Sequence, residues 1–337
     1  MDESKIGSII EVLNHFYLVI FIVGTLGNLI ALFVFSRKNF QNTIFSTYYR
    51  LVTIYDILTL IQIMMDLYIH FQFNINIKIV SDFFCKFIEY YNYIIPSISV
   101  WTLSIISVDR FFSIFVPFKF KFRKTKSFQS TICLIIIIYN LIYYYTLFYS
   151  SLEETPITMT MNDSNESNTS DLTLLIECKK YNPNGLIDWM DFFNSTIIPF
   201  IIMTISNGFI LNKIVQRSRK RSNMMISSSS SADSKLNTRD MKYALTSIAL
   251  NAIFFIFNFP ITIFLVSKNY ITFEEKYESM VDLIEIVVTL LFYLNFAVLF
   301  FTSVISNSLF RKEFIEILII IKKRIHLYFR GHLVSKN

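Results

Sequence analysis

CKFIEYYNYIIPSISVWTLSIISVDRFFSIFVP, residues 85–117, opens on a cysteine, runs through a long apolar stretch and closes on the charged step Asp109-Arg110-Phe111. With a rise of about 1.5 Å per residue, a helix of this length crosses the ~30 Å of hydrocarbon in a bilayer. A carboxylate–guanidinium pair is costly inside that hydrocarbon, so it marks the end of the span. The stretch predicts a membrane helix tied by a disulfide at its outer mouth and carrying an ion-handling pair at its inner end.

Composition agrees. Of 337 residues, 53% are hydrophobic and 17% aromatic, more than a water-soluble surface accommodates. The chain contains no GxGxxG, no Walker pattern and no HExxH, and its four His are scattered, which excludes the common nucleotide-binding and metal-hydrolase designs. The expectation is an all-α membrane protein that is not an enzyme, needs no resident metal, and has the lipid bilayer rather than a nucleic acid as its medium.

Further apolar spans are predicted near residues 13–35, 44–69, 128–150, 186–212, 242–267 and 281–305, giving seven with the central one. The basic pair Arg37-Lys38 follows the first span, which places the N-terminal segment 1–12 outside. The other segments test this. Residues 213–242 hold eight basic and two acidic side chains, whereas residues 150–186 hold six acids and two lysines, so the basic segments share the cytoplasmic side. The reading is a multi-pass plasma-membrane bundle over 13–305. It carries a long outer loop (about 151–185), a basic, Ser-rich inner loop (about 213–241) read as a solvated linker, and a cytoplasmic tail (306–337). In the tail, Phe310, Phe314, Ile317, Ile321 and Ile325 recur at helical spacing beside Lys322, Lys323 and Arg324, which predicts an amphipathic helix along the inner leaflet.

Cys85 and Cys178 both face the oxidising side in this topology and are expected to pair, pinning the outer loop over the bundle, while Cys133 lies inside span four as a packing residue. Three overlapping sequons begin at Asn162, Asn165 and Asn168, so the outer loop is a candidate for glycosylation. Asp56 lies in mid-span two, with Asn28, Ser99 and Asn295 at comparable depth in spans one, three and seven. Such a carboxylate is either a neutral acid bonded to a neighbouring helix or a cation site; the polar set favours a functional role. Asp240 stands on the inner side at the start of span six. It offers Arg110 a second carboxylate, a bridge that would hold spans three and six together at rest.

Placed in order on seven spans, these residues resemble the rhodopsin-like (class A) G-protein-coupled receptors over about residues 12–320. Gly27-Asn28 is similar to the family's first-helix motif, Asp56 to its second-helix Asp, and Asp109-Arg110-Phe111 to its DRY element. Pro199, Pro260, Leu294-Asn295 and Phe310-Arg311-Lys312 match later landmarks. The resemblance implies a receptor without covalent chemistry that couples an extracellular ligand to a heterotrimeric G protein, and a possible sodium ion near Asp56. Departures are equally plain. Helix four lacks the usual Trp, Asn258 stands at the helix-six toggle, Leu299-Phe300-Phe301-Thr302-Ser303 replaces NPxxY, and Asn207 takes the place of a helix-five Tyr.

For the ligand, Asn92 stands where amine receptors of this family carry an Asp, which argues against a monoamine. Asp66, Glu89, Asp191 and Glu285 (with Asp188 and Asp282 near the same ends) suggest a carboxylate rim above an aromatic cavity of Tyr93, Phe192 and Phe259. Such a rim suits a basic, partly apolar peptide, and LNFAVLFF in span seven is similar to invertebrate neuropeptide receptors of the RF-amide type. The alternatives are a chemosensory or orphan receptor for a small molecule and, with less support, an ion-coupled secondary transporter using Asp56 and Asp109. No inverted repeat favours the latter.

Overall fold

The computed structural model describes residues 3–41, 46–73, 75–116, 125–159, 171–223, 231–271 and 277–334. Seven helices among them are long and apolar enough to cross a membrane. They are α1 (Glu3–Phe35), α2 (Ser46–Phe73), α3 (Asp82–Phe115), α4 (Lys126–Tyr143), α5 (residues 186–223), α6 (Ser231–Lys268) and α7 (residues 278–306). An eighth helix, α8 (Ser308–Val334), follows. The all-α, seven-span bundle expected from the sequence is therefore the fold, with α3 at its centre touching α2, α4, α5 and α6.

Local chemistry sets the helix ends. The Ser81 hydroxyl accepts from Phe84 N at 3.3 Å to start α3, and Thr125 does the same for Phe128 N at 3.4 Å to start α4. Asn307 Oδ1 accepts from Leu309 N and Phe310 N at 3.0 and 3.2 Å, opening α8 directly after α7.

Three spans are not plain α-helices, and in α2 the departure is a π segment, Ile63–Tyr68. In α5, Leu186–Asp191 passes into a π segment, Phe192–Ile197, before Ile198–Asn223 resumes the α form. Pro199 cannot donate to the carbonyl four residues back and its ring crowds that carbonyl, and the wider turn just before it relieves both problems. In α7, Glu278–Ala297 and Leu299–Ser306 are separated at Val298 without any proline. A side chain of α1 meets the chain here: Asn28 Nδ2 donates to Phe296 O, in the last turn before Val298, at 2.8 Å. α1 comes close enough to do this because Gly24 lacks a side chain; a Cβ there would lie 2.8 Å from Ala297 Cβ and from Leu60 Cδ1.

Several boundaries differ from the sequence expectation. α1 starts at Glu3, so residues 3–12 extend the first helix rather than forming a separate segment. The outer loop contains an antiparallel hairpin, β1 (Ser151–Met159) and β2 (Asp171–Lys179), whose backbone groups pair across the two strands. The sequons at Asn162, Asn165 and Asn168 lie outside the described residues. The basic inner segment read as a solvated linker is largely helical: α5 continues to Asn223 and α6 begins at Ser231. Lys and Arg are good helix formers, and both helices simply carry on past the membrane.

The tail helix forms as expected, but the first part of its periodic stripe packs inward. Phe310 and Ile317 are buried against Phe35, Phe40 and Tyr49, with Phe314 beside them. Ile315, Leu318, Ile319, Ile320 and Ile321 are exposed, so of the predicted stripe Ile321 stays on the open face while Phe310 and Ile317 turn to the core. Aromatic packing decides this: the Phe35 ring lies 4.9 Å from Tyr49 and 5.1 Å from Phe310.

Candidate functional site

The outer mouth is built on the Cys85–Cys178 disulfide, which joins the first turn of α3 to β2. Two residues later the chain turns inward. Lys180 Nζ donates to Asp188 Oδ1 and to the Tyr93 hydroxyl, both at 2.7 Å. Tyr93 OH also donates to Asp188 Oδ1 at 3.1 Å, and Asn182 Nδ2 and Asn269 Nδ2 each reach Oδ2 at 2.8 Å. One carboxylate, 5% exposed, thus gathers donors from α3, the outer loop and the segment after α6. A buried charge persists where it is paired and multiply bonded, and Asp188 is both.

Deeper in the bundle, the π segment turns Asn194 toward α3 and α4. Asn194 Nδ2 donates to Ser97 Oγ at 3.0 Å and to Tyr144 OH at 3.2 Å, and its Oδ1 accepts from Tyr139 OH at 2.8 Å and Trp101 Nε1 at 3.2 Å. Ser97 Oγ donates in turn to Asn140 Oδ1 at 2.6 Å. Asp191 Oδ1 accepts from Tyr144 OH and Ser195 Oγ, each at 2.7 Å. Polar groups of three spans therefore hydrogen-bond one another directly.

The sequence-predicted pocket is only partly assembled. Asp191 belongs to the network above. Glu89 is bound by Lys78 at 2.9 Å, and Glu285 by Lys268 at 2.6 Å. The supposed open rim of carboxylates is thus largely neutralised by the chain's own lysines, which sequence reading did not pair with them. The side chain of Asp66 lies outside the described residues. Tyr93, Phe192 and Phe259 do not form one aromatic cavity: Tyr93 packs on Tyr144, Phe192 on Trp189 and Phe193, and Phe259 on Phe255. Asn258 is buried at 2% exposure, and Asn92 lines a small cleft between α2 and α3. Glu285 and Asp282 instead line a 530 Å³ cavity with Asn14, Tyr17 and His70, between α1, α2 and α7.

Lys180, Asn182, Asn194, Asn140 and Asn269 were missed as site residues. The available signal was two lysines directly after Cys178 opposite two acids, Asp188 and Asp191, at the start of span five.

In mid-bundle, Ser99 Oγ donates to Asp56 Oδ1 at 2.6 Å, joining α3 to α2 as expected. Asn28 is committed to Phe296 O, and among the described residues Asn295 is not hydrogen-bonded to Asp56. The polar set is thus split between a carboxylate–hydroxyl pair and a helix break, and Asn28 Oδ1 is buried without a hydrogen-bond partner.

At the inner end, Arg110 is 2% exposed. Its Nη2 donates to Tyr49 OH at 3.2 Å, and its guanidinium lies 5.8 Å from the Tyr49 ring centroid. Asp109 beside it is 6% exposed. Phe111 stacks on Phe115 at 4.7 Å and meets Phe209 of α5 at 5.6 Å, so it knits α3 to α5. Asp240 lies on α6, and its side chain is outside the described residues, as is any bridge to Arg110. Glu313 of α8 is fully buried and accepts from Arg37 Nε at 3.1 Å and from Asn39, a clamp between the first inner turn and the tail helix that the sequence did not announce.

Comparison with known proteins matches this arrangement. Residues 27–298 fit the family model described as 7 transmembrane receptor (rhodopsin family). The N-arachidonyl glycine receptors of Homo sapiens and Rattus norvegicus are similar, each 28% identical over 116 residues, covering 34% of this chain and 33% of the relative. That of Bos taurus is 28% identical over 116 residues, covering 34% of this chain and 32% of its own. The matched region spans about a third of the length of these curated relatives. With the seven spans, the outer disulfide and the buried Arg110 in place, the chain belongs to the rhodopsin family of seven-transmembrane receptors.

Proposed function

We propose that this receptor sits in the plasma membrane with its N-terminus outside, binds an extracellular ligand at the mouth framed by α1, α2, α7 and the Asp188 network, and activates a heterotrimeric G protein. The observation that carries the reading is Arg110. A guanidinium 2% exposed at the inner end of the central helix, held by a tyrosine hydroxyl and ring, is expensive to keep in a membrane bundle. It earns its place as a contact that changes partners when the inner ends separate. Ligand binding then acts by population shift: the ligand favours the state in which α6 swings at its inner end around Pro260, exposing Arg110 to the G protein.

For the ligand, the reading remains a basic peptide. Its support is the 530 Å³ cavity, within the size range of ligand sites, with Asp282 in its wall beside Glu285, which Lys268 already engages. A second reading is an N-acyl amino acid or similar anionic lipid. The relatives' name suggests it, and Lys180 at the mouth would receive the ligand carboxylate by exchanging Asp188 for it. The test is G-protein dissociation in transfected cells challenged with amidated basic peptides, N-acyl glycines and monoamines, with Arg110→Ala as control. A response to one class that Arg110→Ala abolishes at equal surface expression supports the receptor reading and selects the ligand. A response that Arg110→Ala leaves intact contradicts the role given to Arg110.

A further inference from the structure

The 530 Å³ cavity between α1, α2 and α7 holds two polar side chains that the protein itself leaves unused. Asn14 and Tyr17, 6% and 3% exposed, both line it, and among the described residues neither side chain has a hydrogen-bond partner. Unlike the sealed Asn28 Oδ1, their polar atoms keep open surface, and the cavity is the space they open onto. A buried amide with both its donor and its acceptor unmet favours an occupant that meets both.

The wall is ordered by depth. α1 runs inward through Asn14 to Tyr17, and α7 runs inward from Asp282 through Glu285 to Thr289. That stretch of α7 puts about 10 Å between the rim carboxylate and the floor hydroxyl. Lys268 engages Glu285 at 2.6 Å, so Asp282, which has no ion pair among the described residues, is the carboxylate left for an incoming cation. His70 lines the α2 side, and Leu67 and Ile286 make the rest of the lining apolar. A second cavity of 410 Å³ shares Ile10 and Phe71 with the first and continues past Glu11 to Gly7, toward the outer end of α1. Two adjoining cavities, each with a carboxylate, suit an extended chain entering from outside rather than a compact molecule.

Resting on the basic-peptide reading above, we propose that the α1–α2–α7 cavity takes a primary carboxamide of that peptide, from a Gln or Asn side chain or an amidated terminus. Its N–H donates to Asn14 Oδ1 and its carbonyl accepts from Asn14 Nδ2 and Tyr17 OH. A basic side chain of the neighbouring residue reaches Asp282, and the rest of the chain leaves past Glu11. One residue of extended chain, about 3.5 Å, plus a long basic side chain spans the depth between the two contacts. A carboxamide is neutral and carries both donor and acceptor, as Asn14 requires; a carboxylate offers Asn14 Oδ1 no donor and is repelled by Asp282.

The experiment is saturation-transfer NMR on the full chain in zwitterionic nanodiscs, with empty nanodiscs as the reference. The probes are N-acetyl-arginyl-leucine amide, N-acetyl-arginyl-glutamine methyl ester, N-acetyl-arginyl-leucine methyl ester (which has no primary carboxamide) and the citrulline analogue of the first, which has no charge. At least one carboxamide probe binds saturably and about tenfold more tightly than the leucine ester, as expected for one added hydrogen bond, and the tighter of the two identifies the source of the carboxamide. The citrulline analogue binds about tenfold more weakly than its arginine parent. Asn14→Leu brings the carboxamide probe down to the level of the ester and keeps the preference for arginine. Asp282→Asn removes the preference for arginine and keeps that for the carboxamide, so either variant decides the matter if the other does not fold. Equal binding of carboxamide and ester, or a carboxamide preference that survives Asn14→Leu, overturns the proposal. The absence of saturable binding by any probe also overturns it, and leaves the receptor reading, which rests on Arg110 and G-protein signalling, standing.

Discussion

The outer and inner halves of this bundle are held together by different physics. Outside, Asp188, Asp191 and Asn194 tie α3, α4, α5 and the outer loop through hydrogen bonds in which nearly every donor has an acceptor. Inside, contacts between α5 and α6 are mostly apolar, with Met203 and Phe254 packed together below Phe200. One turn further in on the same two helices stand Asn207 and Asn251, 4% and 8% exposed, with side-chain oxygens buried and unpartnered. A directional network resists separation, because opening it strands several buried polar groups at once. An apolar contact flanked by unsatisfied amides gives up little on opening and gains solvation. The difference teaches where the molecule can move: the inner ends of α5 and α6, not their outer ends.

The strongest way to break the outer half is to remove its staple. Cys85→Ala should cost about 2–5 kcal/mol and sharply reduce surface expression, whereas Cys133→Ala changes little; flow cytometry and thermal unfolding measure both. Next in size, Asp188→Ala leaves Lys180 without its carboxylate and should destabilise by about 3 kcal/mol. The double variant with Lys180→Met recovers a large part, and a double-mutant cycle reads the coupling directly. If the two changes are additive, the network is not the clamp described here.

The inner half predicts the opposite sign. Asn207→Leu removes an unpartnered buried amide and should stabilise the resting receptor by about 1–2 kcal/mol while lowering basal G-protein signalling. A smaller effect is expected for Glu313→Gln, which keeps the shape but drops the charge facing the partly exposed Arg37; about 1 kcal/mol and a loosened α8 are the outcome, visible as faster proteolysis of the tail.

Much of this was legible in the sequence because it rests on local or topological rules. Cys85 and Arg110 mark the two ends of α3, and the apolar runs give the seven spans. Ser99 and Asp56 meet as their depths suggested. What was not legible depends on long-range pairing. That Lys180 would claim Asp188, and Lys78 claim Glu89, follows from how the hairpin and the α2–α3 connection fold back, and no periodicity encodes it. The tail stripe was read at the right spacing but aimed at lipid, because a stripe of Phe and Ile suits a bilayer or an aromatic core equally; Phe35 and Tyr49 decide it. The missing NPxxY suggested a changed helix seven, and the helix is interrupted at Val298 without a proline, beside the Asn28 hydrogen bond to Phe296 O.

The account stands or falls on the contrast between the two halves, and hydrogen–deuterium exchange of the receptor in nanodiscs, with and without nucleotide-free heterotrimeric G protein, tests it most directly. Predicted is strong protection of residues 186–197 in both states, with residues 203–212 and 250–258 exchanging faster and changing when the G protein binds. Uniform protection along α5 and α6, or a change confined to the Asp188 network, would contradict it.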